Sequence, residues 1–327
     1  MRHLTSLVIA LSLLSGCVVG IDGEVSDEGG TPTSTPTGPG GTGTGGDGGS
    51  RALPPGKIAV VLAHGLGGSA DSFDPAIVAA IESNGHIVKR TAVPGIESVA
   101  VRAAALGPQI DALLAQTGAT KVHIIAHSMG GLDARYLVSK LGYGAKVASI
   151  TTVSTPHRGS PLADLALGIT QSSAVSQADA LEAIIEFVGG GIESAALNRA
   201  LFDLSEAAAP AFNAANLDVA GIKYQSYAGF STPNGISNPN AAAACTGAPM
   251  PAPAETRALL LLAQPIVASG TDRNPNDGVV EISSSTWTGF QGCISADHLG
   301  ETSVLEAGEE SLDTPAFYKA IVAKLAL

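Results

Sequence analysis

The stretch Lys121 to Gly131, KVHIIAHSMGG, constrains the fold more than any other part of this chain. An apolar run stops abruptly at Ser128, which is flanked by small residues and followed by two glycines. This is the pattern of a nucleophile elbow, a sharp strand-to-helix turn that forces the serine into a strained backbone conformation and needs small neighbours to avoid collisions. The serine hydroxyl then projects from the end of the sheet, and the next amide points at the reacting oxygen. The usual glycine two residues before the serine is replaced by Ala126, which is still small. Taken alone, the same residues also read as a strand followed by a helix capped by serine.

The surrounding sequence supplies the context an elbow requires. Apolar runs at 57–63, 86–93, 121–126 and 146–153 read as strands, and 74–84, 99–116 and 130–141 read as amphipathic helices. Continuous apolar strands separated by helices indicate an α/β fold with a mostly parallel sheet covered on both faces. Ligands of such sheets bind at the carboxyl ends of strands. Both Ser128 and the glycine cluster His64-Gly65-Leu66-Gly67-Gly68 fall at such ends.

The chemistry of an activated serine assigns roles to a few other residues. A tetrahedral oxyanion is stabilised by two fixed backbone amides, and Leu66 and Met129 are the candidate donors. A phosphate loop is disfavoured because no Lys-Ser or Lys-Thr pair closes the glycine run. Two histidines follow Ser128, His157 and His298. Chain order in folds of this kind favours His298 as the base and leaves His157 to shape the pocket rim. The orienting acid is assigned to Asp277, which the following Gly278 allows to sit in a tight loop; Asp272 is the alternative, and Asp297 stands too close to the histidine in sequence to face its ring.

The first 52 residues read differently. Arg2, the apolar run from Leu4 to Leu14 and the sequence Leu14-Ser15-Gly16-Cys17 resemble a bacterial lipoprotein signal over 1–16, with Cys17 the acylated residue. Residues 17–52 are dominated by Gly, Thr, Pro, Ser and acidic residues and cannot bury enough apolar surface to order, so a flexible, lipid-anchored tether is expected. Val18 after the cysteine points to the outer membrane or cell surface. With Cys17 lipidated, Cys245 and Cys293 are left in an oxidising setting as a disulfide pair or as two buried thiols. A net charge of −12 argues against nucleic acid as a partner.

In order, His64-Gly65-Leu66-Gly67, Ala126-His127-Ser128-Met129-Gly130-Gly131, Ser154-Thr155-Pro156-His157-Arg158-Gly159-Ser160, Asn276-Asp277-Gly278 and Asp297-His298-Leu299 resemble the bacterial family I triacylglycerol lipases. The resemblance runs from about Ile58 to the C-terminus. It implies an α/β-hydrolase fold over 53–327 and carboxylester hydrolysis through an acyl-enzyme. It also implies Ser128, Asp277 and His298 as triad, Leu66 and Met129 as oxyanion donors, and a disulfide between Cys245 and Cys293. No organic cofactor is implied, and a membrane-bound foldase enters as a candidate partner.

That family commonly braces the histidine loop with calcium, held by an aspartate two residues after the histidine and a glutamine six after it. Here those places are Gly300 and Val304, whose side chains cannot ligate calcium. No metal is therefore expected unless Glu301 or a shifted loop rebuilds a site. The Ala-, Leu- and Ile-rich insert at about 160–216, with helical periodicity over 180–188 and 192–212, reads as a lid or as fixed cap helices. A short-chain esterase, a polyester depolymerase and a non-catalytic surface-binding lipoprotein are the alternatives to a lipase.

Overall fold

Ala59–Ala63 form β1, and its side chains leave alternately on opposite faces because a strand repeats every two residues. Helix α1 (Pro75–Glu82) and strand β2 (Ile87–Arg90) follow, then α2 (Val99–Thr117), β3 (Val122–His127), α3 (Gly130–Lys140) and β4 (Val147–Val153). After four helices in the insert, α4 (Pro161–Ala166), α5 (Gln177–Phe187), α6 (Ala195–Asp203) and α7 (Ala209–Ala215), the chain returns to the sheet as β5 (Lys223–Gly229). Then come β6 (Ser231–Thr232), α8 (Ala241–Ala244), β7 (Ala254–Glu255), α9 (Gln264–Val267), α10 (Ile282–Ser285), β8 (Phe290–Ile294) and α11 (Thr314–Leu325). This computed structural model describes residues 52–171, 176–187, 195–235, 238, 240–245, 251–257, 260–261, 263–268, 274–302 and 312–326. The signal, Cys17, nearly all of the tether, Asp272 and Val304 lie outside the described residues.

Six strands form one sheet in the order β2-β1-β3-β4-β5-β8, and every pair is parallel. Ala59, Val61 and Ala63 pack with Ala103, Leu106, Ile110 and Leu113 of α2 on one face. Val60 and Leu62 pack with Ile77 and Ile81 of α1 and with Tyr318, Ile321 and Val322 of α11 on the other. Burial on both faces is why the strands read as unbroken apolar runs. From β1 the chain first goes outward to β2 and then back across to β3, so the strand order reverses between β1 and β3. The crevice at the carboxyl ends of these two strands is the usual ligand position in an open parallel sheet.

Two expectations change in detail. The helical periodicity over 192–212 resolves into α6 and α7 with a break at 204–208, where the Ser205 hydroxyl donates to Phe202 O and accepts from Ala208 N instead of continuing the helix. Strand β2 is shorter than the apolar run from 86 to 93, because Val93 N turns to donate to the His64 ring.

Cys245 and Cys293 are disulfide-bonded with Cα atoms 5.5 Å apart, joining the end of α8 to β8 beside Ala228, Phe230 and Ile282. The bridge spans a sequence separation of 48. Replacing both cysteines by serine should lower unfolding free energy by up to about 4 kcal/mol in the loop-entropy model, measured by urea denaturation of oxidised protein.

Candidate active site

The turn after β3 carries Ser128 at φ 54°, a left-handed conformation rare for residues other than glycine and costing about 1–3 kcal/mol. The strain is held in place by its backbone bonds. Ser128 N donates to Val153 O at 2.9 Å, and Ser128 O accepts from Gly131 N at 3.0 Å and from the Thr155 hydroxyl at 2.8 Å. Gly130 is required by contact: a Cβ there would lie 2.6 Å from Ala63 O and 2.7 Å from His64 O. Ala126 is fully buried in β3 beside Ala63, so a methyl group is accommodated at the place where glycine is usual.

Residues predicted from separate loops meet at this turn. His298 Nε2 lies 3.0 Å from Ser128 Oγ, and His298 Nδ1 lies 2.7 Å from Asp277 Oδ2. The remaining Asp277 oxygen accepts from Val279 N at 2.9 Å and Val280 N at 2.7 Å. Burial by itself would raise the Asp277 carboxyl, but the adjoining imidazole and these two amides outweigh it and hold the group below its ordinary range. A carboxylate on Nδ1 requires the proton there, which leaves Nε2 free to accept from the serine hydroxyl. The arrangement is the one a serine nucleophile, its base and an orienting acid require.

The loop after β1 faces the same serine. A Cβ added at Gly65 would fall 2.6 Å from Ser128 Cβ, so the backbone leading to Leu66 presses directly against the nucleophile. Among the described residues, neither the Leu66 nor the Met129 amide donates to a protein acceptor. His64 stiffens the loop from within. Burial lowers its pKa to about 4, and the neutral ring uses Nδ1–H to reach Gly65 O at 2.9 Å and Nε2 to accept from Val93 N at 3.2 Å.

Arg102 was not singled out from sequence, yet it is fully buried and binds this region together. Its Nε donates to Asp133 Oδ2 of α3 at 2.9 Å, its Nη2 to His64 O at 2.8 Å, and its Nη1 to Pro94 O at 2.8 Å. One guanidinium therefore joins α2, the helix after the elbow and the glycine loop. The available signal was a lone charge on the apolar face of α2, within one turn of Val99 and Leu106.

Glu301 is a second buried acid at the site. Its Oε1 accepts from the Ser154 hydroxyl at 2.5 Å, and Ser154 itself is strained at φ 47° where β4 ends. Its Oε2 comes within 3.1 Å of His127 Nε2 without hydrogen-bond alignment, and both atoms otherwise lack partners among the described residues. Burial and the charge of Asp277 push the Glu301 carboxyl well above its usual range, while burial drops His127 to about 3. Both shifts disfavour the charged forms, so burial works against an ion pair at this contact. His127, His298 and Glu301 bring possible ligand atoms within 4.8 Å, but both His298 nitrogens are engaged by Ser128 and Asp277.

His157 departs from its expected place on the rim. It is buried, hydrogen-bonded to Arg135 at 3.1 Å and Thr152 at 3.1 Å, and stacked on Trp287 at 4.9 Å. The ring fills space between α3 and the loop before β8, and the neighbouring Pro156 is the residue that reaches the pocket. That pocket, about 590 Å³ including its open mouth, ends at Ser128 and His298. Leu162, Ile184, Leu201 and Leu204 from the insert, with Leu66 and Val279, make its walls apolar. Helix α6 is tied down at its far side by an Arg199–Glu97 ion pair at 2.8 Å and by Val99 N donating to Asp203 at 2.7 Å.

The calcium site of the resembled family does not fit the residues found around Gly300. Asp297 Oδ1 accepts from Arg257 Nη1 at 2.5 Å and from Gly300 N at 2.7 Å, and its Oδ2 accepts from Arg257 N at 2.8 Å. A Cβ at Gly300, the place of the expected aspartate, would lie 3.0 Å from Arg257 Nη1. The Arg257 guanidinium already supplies the positive charge that faces Asp297.

Comparison with known proteins agrees with this architecture. Residues 58–174 match a family model described as the alpha/beta hydrolase fold. Triacylglycerol lipase 2 of Saccharomyces cerevisiae is 29% identical over 225 residues, covering 67% of this chain and 58% of that protein. A triacylglycerol lipase of Vibrio cholerae is 34% identical over 145 residues, covering 41% of this chain and 46% of that protein. The chain thus spans about half the length of these curated relatives. The mature form of a Bacillus licheniformis lipase superposes with a TM-score of 0.61 at 19% identity, covering 86% of this chain and 97% of that one. The chain has the α/β-hydrolase fold.

The buried acid gives a pH-dependent prediction. With its folded pKa raised, Glu301 keeps a proton that the unfolded chain releases above about 4.5. Its contribution to stability is fully present below that value and is lost as pH rises toward the folded pKa. Glu301→Gln should therefore gain stability relative to wild type as pH increases, by at most about 1.4 kcal/mol per pH unit, in urea titrations at about pH 5 and about pH 8. A variant stability, taken relative to wild type, that stays flat or falls between these two pH values would mean that Glu301 is ionised in the folded protein.

Proposed function

We propose that this chain is a serine carboxylester hydrolase of lipase type, acting on esters with apolar acyl chains and most naturally on acylglycerols. The observation that carries the reading is the hydrogen-bonded series Ser128–His298–Asp277 at the floor of an apolar pocket. His298 takes the Ser128 proton as the hydroxyl attacks the ester carbonyl, and Asp277 stabilises the imidazolium that forms. The Leu66 and Met129 amides hold the oxyanion. Collapse of that intermediate expels the alcohol, protonated by His298, and leaves an acyl-enzyme. Water activated by His298 then releases the carboxylic acid.

The apolar walls support an acyl chain as the bound part of the substrate, since burying each methylene contributes about 0.8 kcal/mol. Helices α5 and α6, which carry Ile184 and Leu201, are the segment that serves as a lid. The N-terminal pattern ending at Cys17 supports an exported lipoprotein whose tether holds the domain near a lipid surface. A membrane-bound foldase is a candidate partner for its folding.

Two measurements test this reading. Ser128→Ala should lower kcat on a nitrophenyl ester by ~10⁴-fold or more while the variant stays folded. Activity confined to short soluble esters, with none on emulsified long-chain triacylglycerol, would reject acylglycerols as substrate and favour a short-chain esterase. For the anchor, metabolic labelling with a fatty acid should mark the wild type and miss Cys17→Ser; equal labelling of both would refute it.

A further inference from the structure

His298 stands on a short loop between β8 and residue 302, and its side chain must hold hydrogen-bonding distance to Ser128 and Asp277 at once. Part of that loop is held by its own backbone: His298 N donates to Asp277 O at 2.9 Å and Glu301 N to Asp297 O at 3.2 Å. Asp74 N donating to Thr302 O at 3.1 Å and the Ser154 hydroxyl donating to Glu301 at 2.5 Å hold the loop's far end, and beside the histidine an electrostatic hold is added from outside the loop. Asp297, next to the histidine and 2% exposed, receives Arg257 Nη1 at 2.5 Å and Arg257 N at 2.8 Å. Arg257 is itself seated, because it follows Thr256 at the end of β7, and Thr256 N donates to Thr232 O at 3.0 Å while its hydroxyl donates to Ser231 Oγ at 2.9 Å.

We infer that Arg257 is a positioning residue for His298, a built-in cation that braces the histidine loop where the lipases resembled by this sequence use calcium. Three features carry the inference. Both Asp297 oxygens are committed to nitrogen donors, leaving that carboxylate poorly placed to join the six to eight oxygens calcium requires. The residue at the expected ligand position is Gly300, and a side chain there would begin 3.0 Å from the guanidinium nitrogen. A guanidinium also remains charged at every physiological pH and offers fixed, directional donors, so it replaces the charge and part of the geometry of a bound ion. The brace is then part of the chain and does not depend on ion concentration.

The test uses the full chain hydrolysing a soluble nitrophenyl ester, with functional sites counted by a phosphonate that labels Ser128. Wild-type turnover should stay within about twofold in excess chelator or added calcium, whereas Arg257→Ala should lose roughly 10- to 100-fold in kcat per labelled site with KM little changed. Arg257→Lys keeps the charge and should recover part of the loss. If Arg257→Ala does not fold, Arg257→Gln, which retains a planar donor without charge, carries the same expectation. Wild-type turnover that falls on chelation and returns with calcium overturns the inference. So does a folded neutral variant with wild-type kcat, or one whose loss lies in KM. The inference rests on ester hydrolysis at Ser128. Absence of wild-type turnover, or turnover that survives Ser128→Ala, marks a failure of that reading and not of the brace.

Discussion

The strained backbone of Ser128 organises its surroundings. A residue at φ 54° persists only where neighbouring contacts over-determine it, and here they come from three directions. Val153 of β4 accepts its amide hydrogen, Thr155 holds its carbonyl, and the glycine after Met129 lets the backbone of the β1 loop approach to contact distance. Each partner stands at the carboxyl end of a neighbouring parallel strand. The turn can form only if the sheet is ordered β1-β3-β4, and the strand reversal beside β1 leaves an open crevice above it. The same contacts that hold the strain therefore build the site.

Around this turn the molecule spends its buried polar groups on orientation. Arg102 has no role in proton transfer, yet it fixes the loop bearing Leu66 to the helix that follows Ser128. Glu301, fully enclosed, lies among Ser154, His127 and Asp277, and burial pushes its carboxyl toward the protonated form. Arg257 reaches the histidine loop from the far side. Fully buried charges are unfavourable unless paired and hydrogen-bonded, and the two guanidiniums have their carboxylate partners in place. Preorganisation of this kind keeps donors and bases aimed before the substrate arrives, so little reorganisation is needed during reaction.

The pocket adds a second layer built on different physics. Its walls come largely from the insert between β4 and β5 and are apolar, so they offer burial and no directional chemistry. The hydrogen-bonded series and the apolar surface are consequently carried by separate parts of the chain. The sheet and its loops present Ser128, His298 and Asp277, and α4 to α6 supply much of the apolar wall.

Much of this was legible in the sequence because it is local or periodic. The strand and helix alternation from β1 to β4, the small residues flanking Ser128 and the glycine after Asp277 are short-range requirements of backbone geometry, and each leaves a residue-level mark. Chain order was enough to nominate His298 over His157. What only the tertiary structure decided are the long-range pairings. They include Arg102 with Asp133 and His64, Glu301 beneath the triad, His157 inside the core and Arg257 on Asp297. A charge in a sequence carries no sign of which distant partner will neutralise it. Pairing is set by where strands and loops bring side chains together, and desolvation then makes the pairing obligatory.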